Sequence, residues 1–174
     1  LKCIKDVQVG DKVVSVDPDT CERVISTVVN QFVRFTDKQM LTLRLISGRE
    51  LTCTVDHPIL TQKGWIKAED FIKDPTLAVC VSLPPDLSVT DAIKLEYEGY
   101  SGLIEDLRQK MKQQFLQMSY EQWAYMINSK ATSIFMPVFS VTKREKMEIA
   151  DITIDKNCHS FVTSEGIVVH NSSM

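Results

Sequence analysis

The chain has 174 residues and a mass of 19.8 kDa, enough for one domain with a buried core. Its 44% hydrophobic and 25% charged residues are those of an ordinary soluble globule, and a net charge of -3 gives no electrostatic reason to expect nucleic acid or an anionic membrane. No stretch resembles a signal peptide or reaches spanning length, and the five cysteines, widely spaced and without a CxxC pair, favour free thiols in a reducing compartment.

The first part reads as strands. DKVVSVDP, RVISTVVNQFVRF, QMLTLRLISGRELTCT and PTLAVCVSLP are rich in Val, Ile, Leu and Thr, and turn signals fall at Asp17-Pro18-Asp19, Ser47-Gly48 and Lys63-Gly64. The alternation on both sides of Ser47-Gly48 predicts a hairpin. After Pro84-Pro85 the composition changes, and the stretch from about residue 91 to 130 carries apolar residues at helical spacing. Ile104, Leu107, Met111, Phe115 and Met118 form one stripe, read as a helix packed on the domain or on a partner, and Ser119-Tyr-Glu-Gln122 reads as a capping box opening a second helix. The end, MEIADITIDKNCHSFVTSEGIVVHN, returns to strand character with a turn at Glu165-Gly166. The plan is therefore β-arm, helical insert, β-arm.

Three places could carry chemistry. His170-Asn171-Ser172 sets an amide that can attack its own backbone carbonyl between an imidazole able to move protons near neutral pH and a hydroxyl able to accept an acyl group. In TVDHPIL, Thr54 and His57 lie on one tight turn with two residues between them, within reach of a common target amide. In ADITIDKNCHSF, Asp151 stands inside an apolar strand, where an unpaired carboxylate is costly, and His159 follows eight residues later. Each alone reads as a loop or edge residue.

Together they resemble the intein family, the self-splicing elements with the Hint fold. VDHPILTQKGWIKAEDF is similar to the family's Thr-x-x-His block, ADITIDKNCHSFVTSEGIVVHNS to its two C-terminal blocks run together, and IKDVQVGDKVVSVD to the region just after its first strand. The resemblance covers roughly residues 3–84 and 137–172. It implies a mainly β, horseshoe-like Hint fold with a short helical insertion: 1–84 and 137–171 as the two β parts of the splicing domain, 85–136 as insert or linker, and 172–174 as the downstream flank.

It also implies roles. Thr54 and His57 would strain or polarise the upstream scissile peptide, and Asp151 would orient the nucleophiles between the two junctions. Ser172 would attack the upstream ester to give a branched intermediate. Asn171 would then cyclise to a succinimide, assisted by His170 and His159, and the final acyl shift onto the Ser172 amine would be spontaneous. The expected activity is single-turnover self-processing, without metal, cofactor or nucleotide, in the compartment of the host protein, taken to be the cytoplasm. The host supplies the covalent flanks; no DNA or membrane partner is implied.

The family's opening nucleophile departs from the pattern. Cys3 has the right chemistry but lies where the family places a residue beyond the first strand and turn. The expectation is therefore a split element whose short separate N-terminal fragment supplies the first Cys or Ser; a complete element opening on Cys3 is the alternative. The insert holds one faint echo of a homing-endonuclease motif, Gly102-Leu-Ile-Glu-Asp106, without a second copy, so no nuclease activity is expected. Among other readings, hedgehog-like cleavage does not need Asn171. A metal-binding β module would use Cys53-x-x-x-His57 with Cys158-His159. A plain binding domain whose insert docks a partner leaves the motif coincidences unexplained.

Overall fold

The computed structural model describes residues 4–111, 116–145 and 148–171. A 3-10 turn at Ile4–Asp6 leads into β1 (Lys12–Val16), β2 (Arg23–Phe35), β3 (Met40–Leu45), β4 (Glu50–Thr54), β5 (Pro58–Thr61) and β6 (Gly64–Lys67). A single helical turn, α1 (Asp70–Lys73), precedes β7 (Ala78–Ser82). The helices α2 (Val89–Met111) and α3 (Tyr120–Met126) follow, and then β8 (Asn128–Lys130), β9 (Ser133–Arg144), β10 (Glu148–Ile154), β11 (Ser160–Val162) and β12 (Val168–His170). Helical structure thus ends at Met126, and the second β segment begins before residue 137.

The turn residues act where their chemistry requires. Gly48 takes φ +92° in the β3–β4 hairpin and donates its N–H to the Leu45 carbonyl, and Gly64 takes φ +91° between β5 and β6. Ser119 caps α3 reciprocally with Gln122, as the sequence pattern predicts.

Two sheets result among the described residues. The smaller has the order β1-β2-β10; the larger runs β11-β12-β5-β7-β9-β3-β4, with β6 on β5 and β8 on β9. Buried serines join them: Ser160 Oγ donates to the Val16 carbonyl at 2.6 Å and accepts the Val16 N–H at 2.9 Å, while Ser15 Oγ donates to the Ser160 carbonyl at 2.6 Å. Both hydroxyls are hydrogen-bonded, which offsets the cost of burying them.

The middle strands of the larger sheet are covered on both faces. Val79, Val81, Ile134, Met136, Ile59 and Val169 enter the main core, while Ala78, Cys80, Phe135, Leu60 and Val168 enter a second cluster with Val16 and Cys21. Burial on both faces is why PTLAVCVSLP reads as a continuous apolar run.

The helices complete the main core. Trp123 is fully buried, its ring stacked on Tyr100 at 4.7 Å and edge-on to Tyr97 at 5.8 Å. The buried face of α2 is Ala92, Glu96, Tyr100, Leu103 and Ile104, whereas Met111 is exposed; Phe115 of the predicted stripe lies outside the described residues. Leu103 and Ile104, the centre of the nuclease-like echo, are core residues. Gly99 lets α2 lie directly on the β3–β4 hairpin, since a Cβ there would run into the Ser47 carbonyl oxygen. Gly99→Ala is expected to destabilise the fold by about 1–3 kcal/mol, the usual cost of overpacking, measurable as a lower denaturation midpoint.

Candidate active site

The site is assembled at the end of β12. Val168 and Val169 bury their side chains in the two clusters on opposite faces, which pins the strand's register. The preceding turn closes through Gly166 at φ +78°, with Thr163 N–H donating to the Ile167 carbonyl at 2.9 Å and Ser82 N–H donating to the Gly166 carbonyl at 2.9 Å. With that register fixed, His170 lies opposite Ser160 and Asn171 emerges almost completely buried, 4% exposed. Its backbone N–H donates to the His159 carbonyl at 2.8 Å.

Two imidazoles meet the backbone on either side of Asn171. His170 Nδ1 lies 2.6 Å from the carbonyl oxygen of Asn171, and His57 Nε2 lies 3.1 Å from the carbonyl oxygen of His170. A carbonyl oxygen only accepts, so both ring nitrogens carry the proton and donate. Hydrogen bonding polarises the Asn171 carbonyl, the atom a cyclising side-chain amide must attack, and places a donor where the tetrahedral intermediate develops negative charge.

The His170 ring has two aromatic neighbours. The His159 ring is nearly parallel to it, with centroids 5.7 Å apart, and Trp65 on β6 meets it edge-on at 4.9 Å. His159 takes φ +52°, a region sparsely populated by residues other than glycine, and in that conformation its ring faces His170 while its carbonyl receives Asn171.

His57 stands on the turn after β4, its N–H donating to the Thr54 carbonyl at 3.1 Å and its carbonyl accepting from Ala68 at 3.0 Å. Burial pushes its pKa below the ordinary 6.5, opposed by the Asp151 carboxylate and by the hydrogen bond to His170. Asp151, half-buried on β10 opposite Phe32, is therefore close enough to act on His57 through its charge; its Oδ1 also accepts the Ile152 N–H at 2.8 Å. Thr54, almost completely buried, stands at the start of the same turn. Asp56 is held below the usual carboxylate range, first by the Lys38 ammonium at 2.6 Å and also by Thr54.

The depressed His57 pKa has a sign. The unfolded chain takes up the proton first, so the contribution to stability is intact above 6.5 and is lost as the pH falls through the folded value. From about pH 7 to about pH 5 the denaturation midpoint of this chain is expected to fall more steeply than that of His57→Asn.

The structure thus brings His57, His159, His170 and Asn171 together, with Asp151 in electrostatic reach and Thr54 at the start of the turn that carries His57. Ser172 and Cys3 lie outside the described residues. The sequence carries no sign of the contacts made by Trp65, Asp56 and Lys38: nothing in the pattern of Gly64-Trp65 separates a ring against a histidine from a core aromatic. The metal-module reading does not fit. Cys53 is buried in the main core, its thiol pushed up to about 12, and among the described residues no three His, Cys, Asp or Glu side chains converge as a metal site requires. Cys21, Cys53, Cys80 and Cys158 are free thiols, and no helix of the described residues is long and apolar enough to cross a membrane.

Comparison with known proteins gives three findings. A family model described as the intein splicing domain matches residues 2–171, a span that includes the helical insert left outside the motif resemblance. A curated sequence, the DNA-directed RNA polymerase III subunit rpc2 of Dictyostelium discoideum, is 31% identical over 80 residues, 44% of this chain; the chain spans only 5% of that protein's length. Solved structures with the same fold include a mutant of the Ssp DnaB mini-intein, with a TM-score of 0.67 at 18% identity, covering 99% of this chain and 89% of that one. A DnaB intein from Synechocystis sp. gives 0.64 at 17%, covering 99% and 87%, and the DnaX mini intein from Spirulina platensis gives 0.58 at 18%, covering 97% and 93%.

Proposed function

The chain belongs to the intein splicing domain family, with protein splicing as its activity, and on that premise we propose that Asn171 closes the reaction while a separate short N-terminal fragment opens it. In the downstream half, the Asn171 side-chain nitrogen attacks the Asn171 carbonyl carbon. The bond from that carbon to the Ser172 nitrogen breaks, the amine leaves with a proton, and a succinimide remains at the chain end. His170 donates through Nδ1 to the carbonyl oxygen throughout. His57 fixes the neighbouring carbonyl, and His159 holds the Asn171 N–H and the His170 ring. The observation that carries this reading is the 2.6 Å contact of His170 Nδ1 with the Asn171 carbonyl oxygen. The acceleration comes from orientation in a water-poor site.

In the upstream half, Thr54 and His57 act on the incoming scissile peptide, Asp151 balances the charge on His57, and the ester formed there is attacked by Ser172. The host protein's segments are the covalent flanks. A first strand that carries the opening nucleophile and precedes residue 4 in the fold is supported by the resemblance of residues 4–17 to the region that follows the family's first strand. A second support is the series of exposed apolar side chains along β2: Ile25, Val29, Val33 and Phe35, the last 77% exposed. A pairing peptide would cover apolar surface and offset its own ordering entropy.

The test is mass spectrometry after mixing the chain with a peptide that carries a flank, a Cys or Ser, and a family-like first strand. Transfer of the flank onto Ser172, with a succinimide at Asn171, is expected. In that mixture His57→Ala is expected to slow the first ester by about 10²-fold or more. Splicing or cleavage initiated by Cys3 in the chain alone, with no ligation to any such peptide, overturns the split reading.

A further inference from the structure

We infer that Arg49 and Glu96 are positioning residues for the downstream junction, through which the helical insert sets the geometry at Asn171. The inference rests on the splicing reading above and extends it to a segment otherwise read as a linker.

Glu96, on α2, is a buried carboxylate that the splicing chemistry does not use; it is 6% exposed. A charge in that setting is tolerated only with a well-aligned partner. Arg49, at the β3–β4 hairpin, supplies it: Nε donates at 2.7 Å and Nη2 at 2.6 Å, both to Glu96 Oε1. The third arm of the same guanidinium points away from the helix. Nη1 donates to the Glu165 carbonyl oxygen at 2.5 Å, on the turn that launches β12.

Two glycines make the bridge tight. A Cβ on Gly166 would meet Arg49 Nη1 at 3.3 Å and Val81 Cγ1 at 3.3 Å, so the turn is pressed onto the guanidinium. Gly99, one helical turn beyond Glu96, seats α2 against the Ser47 carbonyl oxygen on the same hairpin. From the Glu165 carbonyl the chain bends at Gly166, bridges to Val81 at Ile167 and enters β12 at Val168, so only two residues separate the held carbonyl from the junction strand. A planar guanidinium spans Glu96 and Glu165 at once because its donors form a fixed fork; an ammonium is a single point and does not. Arg49 therefore ties insert, hairpin and junction strand into one rigid unit.

The experiment follows release of the Ser172–Met174 flank by intact mass in the parent, Arg49→Lys and Glu96→Gln. Each chain's denaturation midpoint and its amide hydrogen exchange at Gly166 and Val168 are measured alongside. Arg49→Lys keeps a cation for Glu96 but loses the arm on Glu165. The expected result is release slowed on the order of tenfold, the scale on which a small misplacement of a reacting group appears, with a midpoint close to the parent's and exchange faster at Gly166 and Val168 than at the β3–β4 hairpin. Glu96→Gln, which removes the charge that orients the fork, is expected to change release and exchange in the same directions.

Parent-like release and exchange in both variants overturns the inference. So does a slowing that merely follows a lower midpoint with exchange raised evenly over the fold, since that describes an ion pair with a structural role alone. A parent that releases no flank contradicts the splicing reading instead, and in that case the exchange at Gly166 and Val168 still decides for or against the bridge.

Discussion

Asn171→Ala is expected to leave the downstream flank attached, with release slowed by at least about 10⁴-fold. The reason lies in what the side chain replaces. Asn171 is held almost completely buried at the end of a strand whose register is fixed by Val168 and Val169, and its amide is tethered by its own side chain to the carbonyl it must attack. Well-oriented intramolecular groups reach effective molarities of about 10⁵–10⁸ M, and alanine forfeits this because it carries no side-chain amide. The fold should tolerate the change. What is removed is a buried polar amide that belongs to neither apolar cluster, so the denaturation midpoint is expected to stay near that of the parent. With the upstream partner supplied, Asn171→Ala is expected to stop at the branched species, visible as a mass that holds both flanks. Normal splicing by this variant would remove the mechanism altogether.

His170→Ala is the second large effect, expected to slow flank release by about 10²–10³-fold, the usual loss when one donor to a developing oxyanion is removed. The hydrogen bond at 2.6 Å is directed at the one oxygen that gains charge during cyclisation. Water could take the donor's place only poorly, since Asn171 is almost fully buried and the space beside the ring is occupied by Trp65 and His159. The loss should fall on cyclisation and not on upstream ester formation, which separates it from His57→Ala. His57, kept below its ordinary pKa by burial, is neutral near pH 7 and holds the adjacent carbonyl through its Nε2–H. Release rates for His170→Ala and for the parent, measured across pH on folded protein, give the comparison directly.

Much of this was legible in the sequence. β2 has the limits of the run RVISTVVNQFVRF, the hairpin turns at Ser47-Gly48, and the capping box at Ser119 forms. These features depend on local periodicity and turn chemistry, which a short window contains. Four of the seven motif residues converge for a different reason. The motifs carry chemistry that has no purpose unless they meet, although His57 and His170 are separated by 113 positions.

The remainder depended on contacts that no window holds. The stripe from Ile104 to Met118 holds at its two ends, where Ile104 is in the core and Met118 packs against it, and fails at Met111, which is exposed; the buried face of α2 reaches back through Leu103 to Tyr100, on which Trp123 stacks. A carboxylate at position 96 reads as solvated, and only the fold brings Arg49 to it from 47 residues away. β8 consists of Asn, Ser and Lys, with no strand propensity; it exists because β9 offers it an edge. His159 gives no sequence sign of its positive φ, and Trp65 none of its contact with the His170 ring.

The central claim is that Asn171 breaks its own peptide bond. Its most direct test is the intact mass of the purified chain, followed over time together with Asn171→Ala. The claim predicts loss of Ser172–Met174 and an early product lighter by one water than the hydrolysed chain, the mark of a succinimide, and neither change in Asn171→Ala. A product carrying an ordinary Asn171 carboxylate from the outset, or the same release from Asn171→Ala, would contradict it.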